Sequence, residues 1–224
     1  MKRFHPFCII ASTALLLCGC GSKNEPATSK PEPAPPTPVQ TVSTEQLAKK
    51  PTPLPVKKTK TATQAFFDAA LNGDIQTVEA ELAAGVDVNA ASLNGQNQTV
   101  LMLAAYNGHT ELVEALIDRG GKVNHLDSVN RTALMYCSSG PFPETTELLL
   151  DNGADVNIID NNEKWTALMF AAAEGQVDNV KLLLEHGADW KLKDIDGDTA
   201  ASFASKGGHT HVAKIIEEYA KSNP

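Results

Sequence analysis

Cysteine and aromatic residues are scarce in this chain. Aromatic residues make up 5% of the 224 positions, so any core must be built mainly from Leu, Ala, Val and Ile. Three of the four cysteines lie in the first 20 residues and Cys137 stands alone, which excludes a disulfide framework and gives no metal-ligand spacing. There is no phosphate-cradling loop and no distinctive pair of carboxylates. We therefore expect no metal, no cofactor and no enzyme, with a hydrolase only as a remote alternative.

The sequence also lacks an apolar run long enough for a transmembrane helix, which needs about 20 residues. The longest run, residues 7–17, is interrupted by Ser12 and Thr13 and follows the positive pair Lys2 and Arg3. A positive start before a short apolar core is typical of a secretory signal peptide.

The run ends in the letters LCGC at residues 17–20, which resemble the lipobox of bacterial lipoproteins. In that family an aliphatic residue stands three positions before the acceptor cysteine, a small residue precedes it, and the cysteine becomes the new N-terminus. The resemblance implies a signal peptide over residues 1–19 and a lipid anchor, with palmitate, on Cys20; ordinary cleavage without lipid is the alternative. The next residue, Gly21, is not the Asp typical of inner-membrane retention. In a Gram-negative cell this implies an outer-membrane anchor that faces the periplasm.

Proline and charge set residues 20–62 apart from the rest of the chain. Nine prolines lie between positions 26 and 55, a composition that cannot bury a core and favours extended polyproline geometry. We interpret residues 20–62 as the lipidated Cys followed by a disordered tether. Residues 21–60 hold seven Lys and Arg against three Asp and Glu, a net charge of +4, whereas residues 61–224 hold ten against 24, a net charge of −14. The acidic part argues against nucleic acid as a partner, since nucleic-acid binding requires a basic surface.

A motif that begins with threonine recurs four times in the acidic part. The windows TVLMLAA, TALMYCS, TALMFAA and TAASFAS are spaced 33, 34 and 33 residues apart and start at Thr99, Thr132, Thr166 and Thr199. A second marker keeps the same period, in the settings GVDVN, GGKVN, GADVN and GADWK at Gly85, Gly120, Gly153 and Gly187. Such a period is typical of solenoids built from stacked repeats.

Each repeat predicts two short helices joined by a turn. The alanines of the threonine window allow this first helix to pack closely on its neighbours. A break follows, marked by Gly73, Gly108, Gly175 and Gly208, and then a second helix with its apolar residues on one face. The glycine after the second helix predicts a left-handed C-cap. The run to the next threonine predicts tight exposed turns at Asn94, Asp127, Asn161 and Asp194.

The period, the glycine-terminated second helix and the GADVN tail resemble the ankyrin repeat over roughly residues 64–220. The resemblance implies an all-α fold, an ankyrin-repeat solenoid of about five helix-turn-helix units with projecting turns, in a domain at 63–222. The units are placed at about 64–93, 94–126, 127–160, 161–193 and 194–221. The first and last resemble capping units, and in the first Gln64 stands where the others have threonine. The resemblance also implies a concave face that binds another protein.

Two departures from the family pattern affect the expected rigidity and shape. The histidine of the family's TPLH motif is replaced by Met102, Met135, Met169 and Ser202. Its inter-repeat hydrogen bonds are therefore lost, and we expect a less rigid stack than consensus ankyrin arrays. In the third unit Pro141 stands at the helix break where glycine belongs, whereas Pro143 suits the first turn of the second helix. The proline at the break is either a local kink that reshapes the groove or harmless drift.

Partners of ankyrin stacks usually contact the turn tips and the exposed end of the first helix, which gives candidate binding residues by position. The tips are Gln96, Gln98, Val129, Arg131, Glu163, Trp165 and Asp198, and the helix positions are Tyr106, Asn107, Ser139 and Glu174. Trp165 and Tyr106 rank first because aromatic residues are frequent in interface hot spots. The alternative for Trp165 is a ring folded back on its own turn.

Other residues with reactive side chains fit the repeat pattern. His109 and His209 share one repeat position, and Cys137 stands where other repeats have Ala, as expected of a small buried hydrophobe. Asn97 and Asn130 begin glycosylation sequons only because Asn replaces Gly in a turn. We therefore attribute these histidines, Cys137 and the two asparagines to the repeat pattern and not to a functional site.

These patterns predict a monomeric, membrane-anchored protein-binding lipoprotein that acts as a scaffold or accessory in the cell envelope. It reaches the membrane through its lipid only, and the acidic repeats favour a neutral or basic protein partner. The alternative is an immunity protein that inhibits a toxic effector by direct binding, because an acidic surface suits a basic toxin.

Overall fold

Ten helices in five consecutive pairs make up the part of the chain that the computed structural model describes, residues 60–223. The predicted signal peptide, the lipid acceptor Cys20 and nearly all of the predicted tether lie outside these residues. The helices are α1 (Gln64–Asn72), α2 (Ile75–Ala83), α3 (Val100–Tyr106), α4 (Thr110–Asp118), α5 (Ala133–Ser138), α6 (Pro143–Asp151), α7 (Ala167–Ala173), α8 (Val177–Glu185), α9 (Ala200–Lys206) and α10 (Thr210–Ser222). First helices pack on the first helices of neighbouring pairs, and second helices from α4 onward pack on second helices. The predicted all-α repeat solenoid is confirmed.

Each first helix begins directly after a threonine because that side chain caps it. In four units the threonine Oγ1 accepts a hydrogen bond of 3.3 or 3.4 Å from the backbone N–H three residues later. This bond satisfies one of the N–H groups that a helix start leaves without a partner. Thr63 occupies the same position before α1, although its side chain makes no capping bond. The expectation that Gln64 replaces the threonine of the first unit is therefore wrong.

Left-handed residues end the helices and close the turns, as the glycine pattern predicts. The glycine after each of the first four second helices has a positive φ, between 79° and 97°. The turn position two before the repeat threonine is also left-handed, with φ of 55° at Asn97, 61° at Asn130, 60° at Lys164 and 84° at Gly197. Asn tolerates this conformation better than most residues. The two sequons are thus explained by turn geometry.

Proline changes the break of the third unit without disturbing the helix that follows. The first helix α5 ends at Ser138 after six residues, and Pro143 is the first residue of α6, as predicted. Side-chain amides of the next unit then reach the carbonyls at the break. Asn179 Nδ2 donates to Ser138 O at 3.2 Å and to Gly140 O at 2.7 Å. The fourth unit therefore satisfies groups that the shortened helix leaves open.

A row of asparagines joins neighbouring units. Asn124 Nδ2 donates to Gly153 O at 2.9 Å, and its Oδ1 accepts from Asp155 N at 2.8 Å. Asn89 and Asn157 make the same pair of bonds one unit before and one unit after. These contacts are inter-repeat hydrogen bonds at a position other than that of the methionines, and the lower rigidity of the stack stays a prediction.

The core is a continuous apolar layer that runs through all five units. Met102, Met135 and Met169, in the position of the family's histidine, lie fully inside it. Cys137 is completely buried, and this burial raises the pKa of its thiol to about 12. The thiol is thus held protonated, as expected of a small core residue rather than a nucleophile.

Candidate protein-binding face

Each of the last three projecting turns is folded around a buried carboxylate. Asp127, Asp160 and Asp194 are 4%, 6% and 9% exposed, and Oδ1 of each accepts two backbone N–H bonds from its own turn. The predicted turns are present, but the Asp127 and Asp194 residues that begin two of them are buried and not exposed. In the turn that leads into the fourth unit the anchor is Asp160 and not Asn161. Buried anchors fix the turn backbone and leave its tip to face outward.

Backbone hydrogen bonds link each turn to the next. Ser128 N donates to Gln96 O and Asn161 N donates to Val129 O, both at 2.8 Å, and Ile195 N donates to Glu163 O at 3.1 Å. We call this linked row of tips the turn ridge. The Gln96 and Glu163 side chains are exposed there, and Val129 is half-buried. These three candidate residues are therefore held in register, which lowers the ordering cost of binding.

Three further candidates, Gln98, Arg131 and Tyr106, meet around Tyr136. Gln98 Nε2 donates to Tyr136 Oη at 2.8 Å, and Tyr136 Oη donates to Asp127 Oδ2 at 2.8 Å. Arg131 Nε donates to the same oxygen at 3.0 Å, and its guanidinium carbon lies 5.1 Å from the centre of the Tyr136 ring. The Tyr106 ring stands perpendicular to that ring at a centroid distance of 6.0 Å. These five residues form the Tyr136 cluster.

Burial raises the pKa of Tyr136 to about 12, so its hydroxyl stays protonated and donates to Asp127 at neutral pH. Sequence reasoning did not select Tyr136 or Asp127 as site residues. The sequence could have indicated Tyr136. It stands four residues after its repeat threonine, where the other windows have the apolar residues Leu103, Phe170 and Phe203. A single hydroxyl in an otherwise apolar row indicates a local polar contact.

The structure corrects the expectation that Trp165 presents its ring to a partner. The residue is only 6% exposed. Its ring centroid lies 5.0 Å from that of Phe170 in its own unit and 4.4 Å from that of Phe203 in the next. The ring is therefore part of the packing between the last two units.

The remaining candidates differ in their surroundings. Asn107 and Glu174 are exposed, and Asn107 Nδ2 donates to Leu71 O at 2.7 Å. Ser139 is half-buried and donates to Tyr136 O at 2.9 Å. Asp198 is half-buried and forms an ion pair with Lys206, a residue that sequence reasoning did not select. Asn107 and Glu174 thus remain as helix-end positions open to a partner.

The fold and this face define a helical-repeat module for protein interaction. A family model of ankyrin repeats matches in three copies, at residues 66–160, 122–194 and 139–223. Because these matches span most of the sequence, the chain belongs to the ankyrin-repeat family. Ankyrin repeats are in general protein-interaction modules without enzymatic activity. Comparison with curated proteins gives no match.

Proposed function

We propose that the chain is a membrane-anchored protein-binding lipoprotein that serves as a scaffold or accessory in the cell envelope. The observation that supports the binding role most directly is the turn ridge, whose backbone links hold exposed Gln96 and Glu163 in register. The Tyr136 cluster also stabilises this face, because Tyr136 Oη joins Gln98 of the first turn to Asp127 of the second. Binding to a pre-organised surface loses less conformational entropy than binding to mobile loops.

The anchor in this proposal is a lipid on Cys20, supported by the lipobox-like residues 17–20. Within residues 60–223 no helix combines the length and apolar character needed to span a bilayer. Acyl chains contribute about 0.8 kcal/mol for each buried methylene, so several acyl groups on one residue bind a membrane firmly. In a Gram-negative cell the absence of Asp after Cys20 favours the outer membrane.

The Cys20→Ser variant is expected to lose both membrane association and lipid labelling. Cells grown with an alkyne-bearing palmitate analogue are fractionated, and the protein is measured in membrane and soluble fractions. Cys18→Ser is the matched control and should keep the label and the membrane fraction. If Cys20→Ser stays labelled, or if Cys18→Ser alone loses the label, the proposed acceptor is wrong.

Charge indicates the kind of protein that would bind. Residues 61–224 carry a net charge of −14, and a complementary partner is neutral or basic. Attraction between exposed charges is screened within about 8 Å at physiological salt. The same acidic surface favours the second candidate function, inhibition of a basic toxic effector. A captured partner that is a secreted toxin, and whose toxicity falls on stoichiometric binding, would support this second function over a scaffold.

Reversing a charge on the turn ridge is expected to weaken binding of a basic partner by about tenfold, which corresponds to about 1.4 kcal/mol. The partner is captured from membranes with the intact protein, identified by mass spectrometry and titrated against Glu163→Lys. Glu147→Lys is the control. It makes the same charge change at an exposed position on α6, the second helix of the third unit. Equal loss of affinity in both variants would show only a general charge effect. Unchanged affinity in Glu163→Lys would remove the ridge from the interface.

A further inference from the structure

Four asparagines of the described residues are followed by glycine: Asn72, Asn94, Asn107 and Asn152. Such pairs lose ammonia because glycine leaves its backbone nitrogen free to approach the amide carbon, Cγ, of the preceding asparagine. Three of the pairs lie at helix ends, whereas Asn94–Gly95 lies in the first projecting turn. We propose that Asn94 is a site of spontaneous deamidation in the folded protein and that the structure selects it over the other three. The proposal does not depend on the proposed function.

The attacking nitrogen is accessible only in the Asn94 pair. Within residues 60–223 the Gly95 N–H makes no hydrogen bond. The other three glycine N–H groups donate to helix carbonyls at 3.0–3.3 Å, namely Gly73 to Ala70, Gly108 to Ala105 and Gly153 to Leu150. An N–H held in a helix-end bond must first be released by local opening. The helix-end pairs are therefore protected.

The attacked carbonyl is polarised only at Asn94. Its Oδ1 accepts hydrogen bonds from Ser92 Oγ at 2.7 Å and from Gln96 N at 2.9 Å. Ser92 Oγ itself accepts from Gln98 N at 3.1 Å, which leaves its own hydrogen for Asn94. Two donors at this oxygen stabilise the negative charge that forms there as the nitrogen attacks Cγ.

The other asparagines lack this arrangement. Among the described residues Asn107 and Asn152 use only their Nδ2 groups, as donors to Leu71 O and Leu148 O. The Asn72 side chain makes no hydrogen bond within residues 60–223. The two conditions, an accessible nucleophile and a polarised electrophile, thus coincide at one pair.

The reaction balances with water as the only co-reactant. Gly95 N loses its proton to solvent and bonds to Asn94 Cγ, and the bond between Cγ and Nδ2 breaks as Nδ2 takes up a proton from solvent and leaves as ammonia. Water then opens the succinimide at either carbonyl and gives aspartate or isoaspartate. Isoaspartate adds one methylene to the backbone at position 94, two residues before Gln96, whose carbonyl accepts the first turn-to-turn bond from Ser128 N at 2.8 Å. The modification therefore places a negative charge and a longer backbone at the start of the turn ridge.

Peptide mass spectrometry of the purified intact protein, aged at mildly alkaline pH, tests the proposal. Amide loss at Asn94 is expected to be several-fold faster than at the other three sites in the same sample. Ser92→Ala should slow it by about three- to tenfold, the effect of one hydrogen bond, whereas Ser92→Thr keeps the hydroxyl and the rate. In denaturant the four rates should converge.

Three results would overturn the proposal. The first is a rate at Asn107 or Asn152 that equals the rate at Asn94 in the folded protein. The second is an Asn94 rate that stays the same or rises in Ser92→Ala. The third is the same preference for Asn94 in denaturant, because the sequence alone would then set it. Circular dichroism of each variant before ageing shows whether the repeats remain folded.

Discussion

Replacement of Asp127 with alanine is expected to lower the free energy of unfolding by about 3–5 kcal/mol, because each buried donor that loses its acceptor costs about 1–3 kcal/mol. The carboxylate is fully buried. It accepts from the backbone N–H groups of Val129 and Arg131, both at 2.8 Å, from Arg131 Nε at 3.0 Å and from Tyr136 Oη at 2.8 Å. The alanine variant leaves these donors without an acceptor, and a buried donor without a partner is costly. Urea titration followed by circular dichroism measures the loss.

Two matched variants separate the contributions of charge and position. Asp127→Asn keeps one acceptor oxygen for the turn but loses the charge opposite Arg131, so an intermediate loss is expected. Asp196→Ala removes an exposed carboxylate from the equivalent tip of the last turn, where surface changes usually stay within about 0.5 kcal/mol. Equal stability of Asp127→Ala and Asp196→Ala would refute the role of Asp127 as an anchor of its turn.

The helix pairs could be predicted from the sequence because each marker has a local physical meaning. Thr132 caps α5 through a bond that spans three residues, and Gly120 supplies the left-handed residue after α4. Both features repeat once per unit, so each occurrence supports the others. The same local logic explains why Asn97 and Asn130 could be recognised as turn residues without any structure.

The side-chain contacts within the candidate protein-binding face could not be predicted in this way, because some of them form between units. Gln98 and Tyr136 are 38 residues apart and meet only when the second and third units stack. Periodicity places a residue at a tip but leaves open whether its side chain points to solvent or back into the stack.

Trp165 shows this limit most clearly. The spacing of 34 residues between Thr132 and Thr166, one more than the other two intervals, was visible in the sequence, as was the aromatic side chain expected of a hot spot. The structure closes the turn with a bond from Asp160 N to Trp165 O at 3.0 Å, and Lys164 adopts a positive φ of 60°. The longer turn thus allows a large ring to lie over Phe170 and Phe203 instead of at the tip.

The Trp165→Ala variant is accordingly expected to lose about 3–5 kcal/mol of stability, as large aromatic residues do when their deletion leaves a cavity. The loss should fall first on the last unit, because Phe203 lies in α9. Hydrogen exchange should therefore show earlier opening of α9 and α10 than of α3 and α4. Trp190→Ala is the control, since this second tryptophan is only half-buried and should cost less.

Partner affinity then distinguishes packing from contact. Trp165→Phe keeps an aromatic ring against Phe203 and should retain most of the stability. If Trp165 only packs, this variant binds the captured partner as tightly as the wild type, and Trp165→Ala weakens binding only to the extent that it unfolds the last unit. A stable Trp165→Phe variant with greatly reduced affinity would restore Trp165 as a contact residue. Wild-type stability in Trp165→Ala would instead refute the packing role.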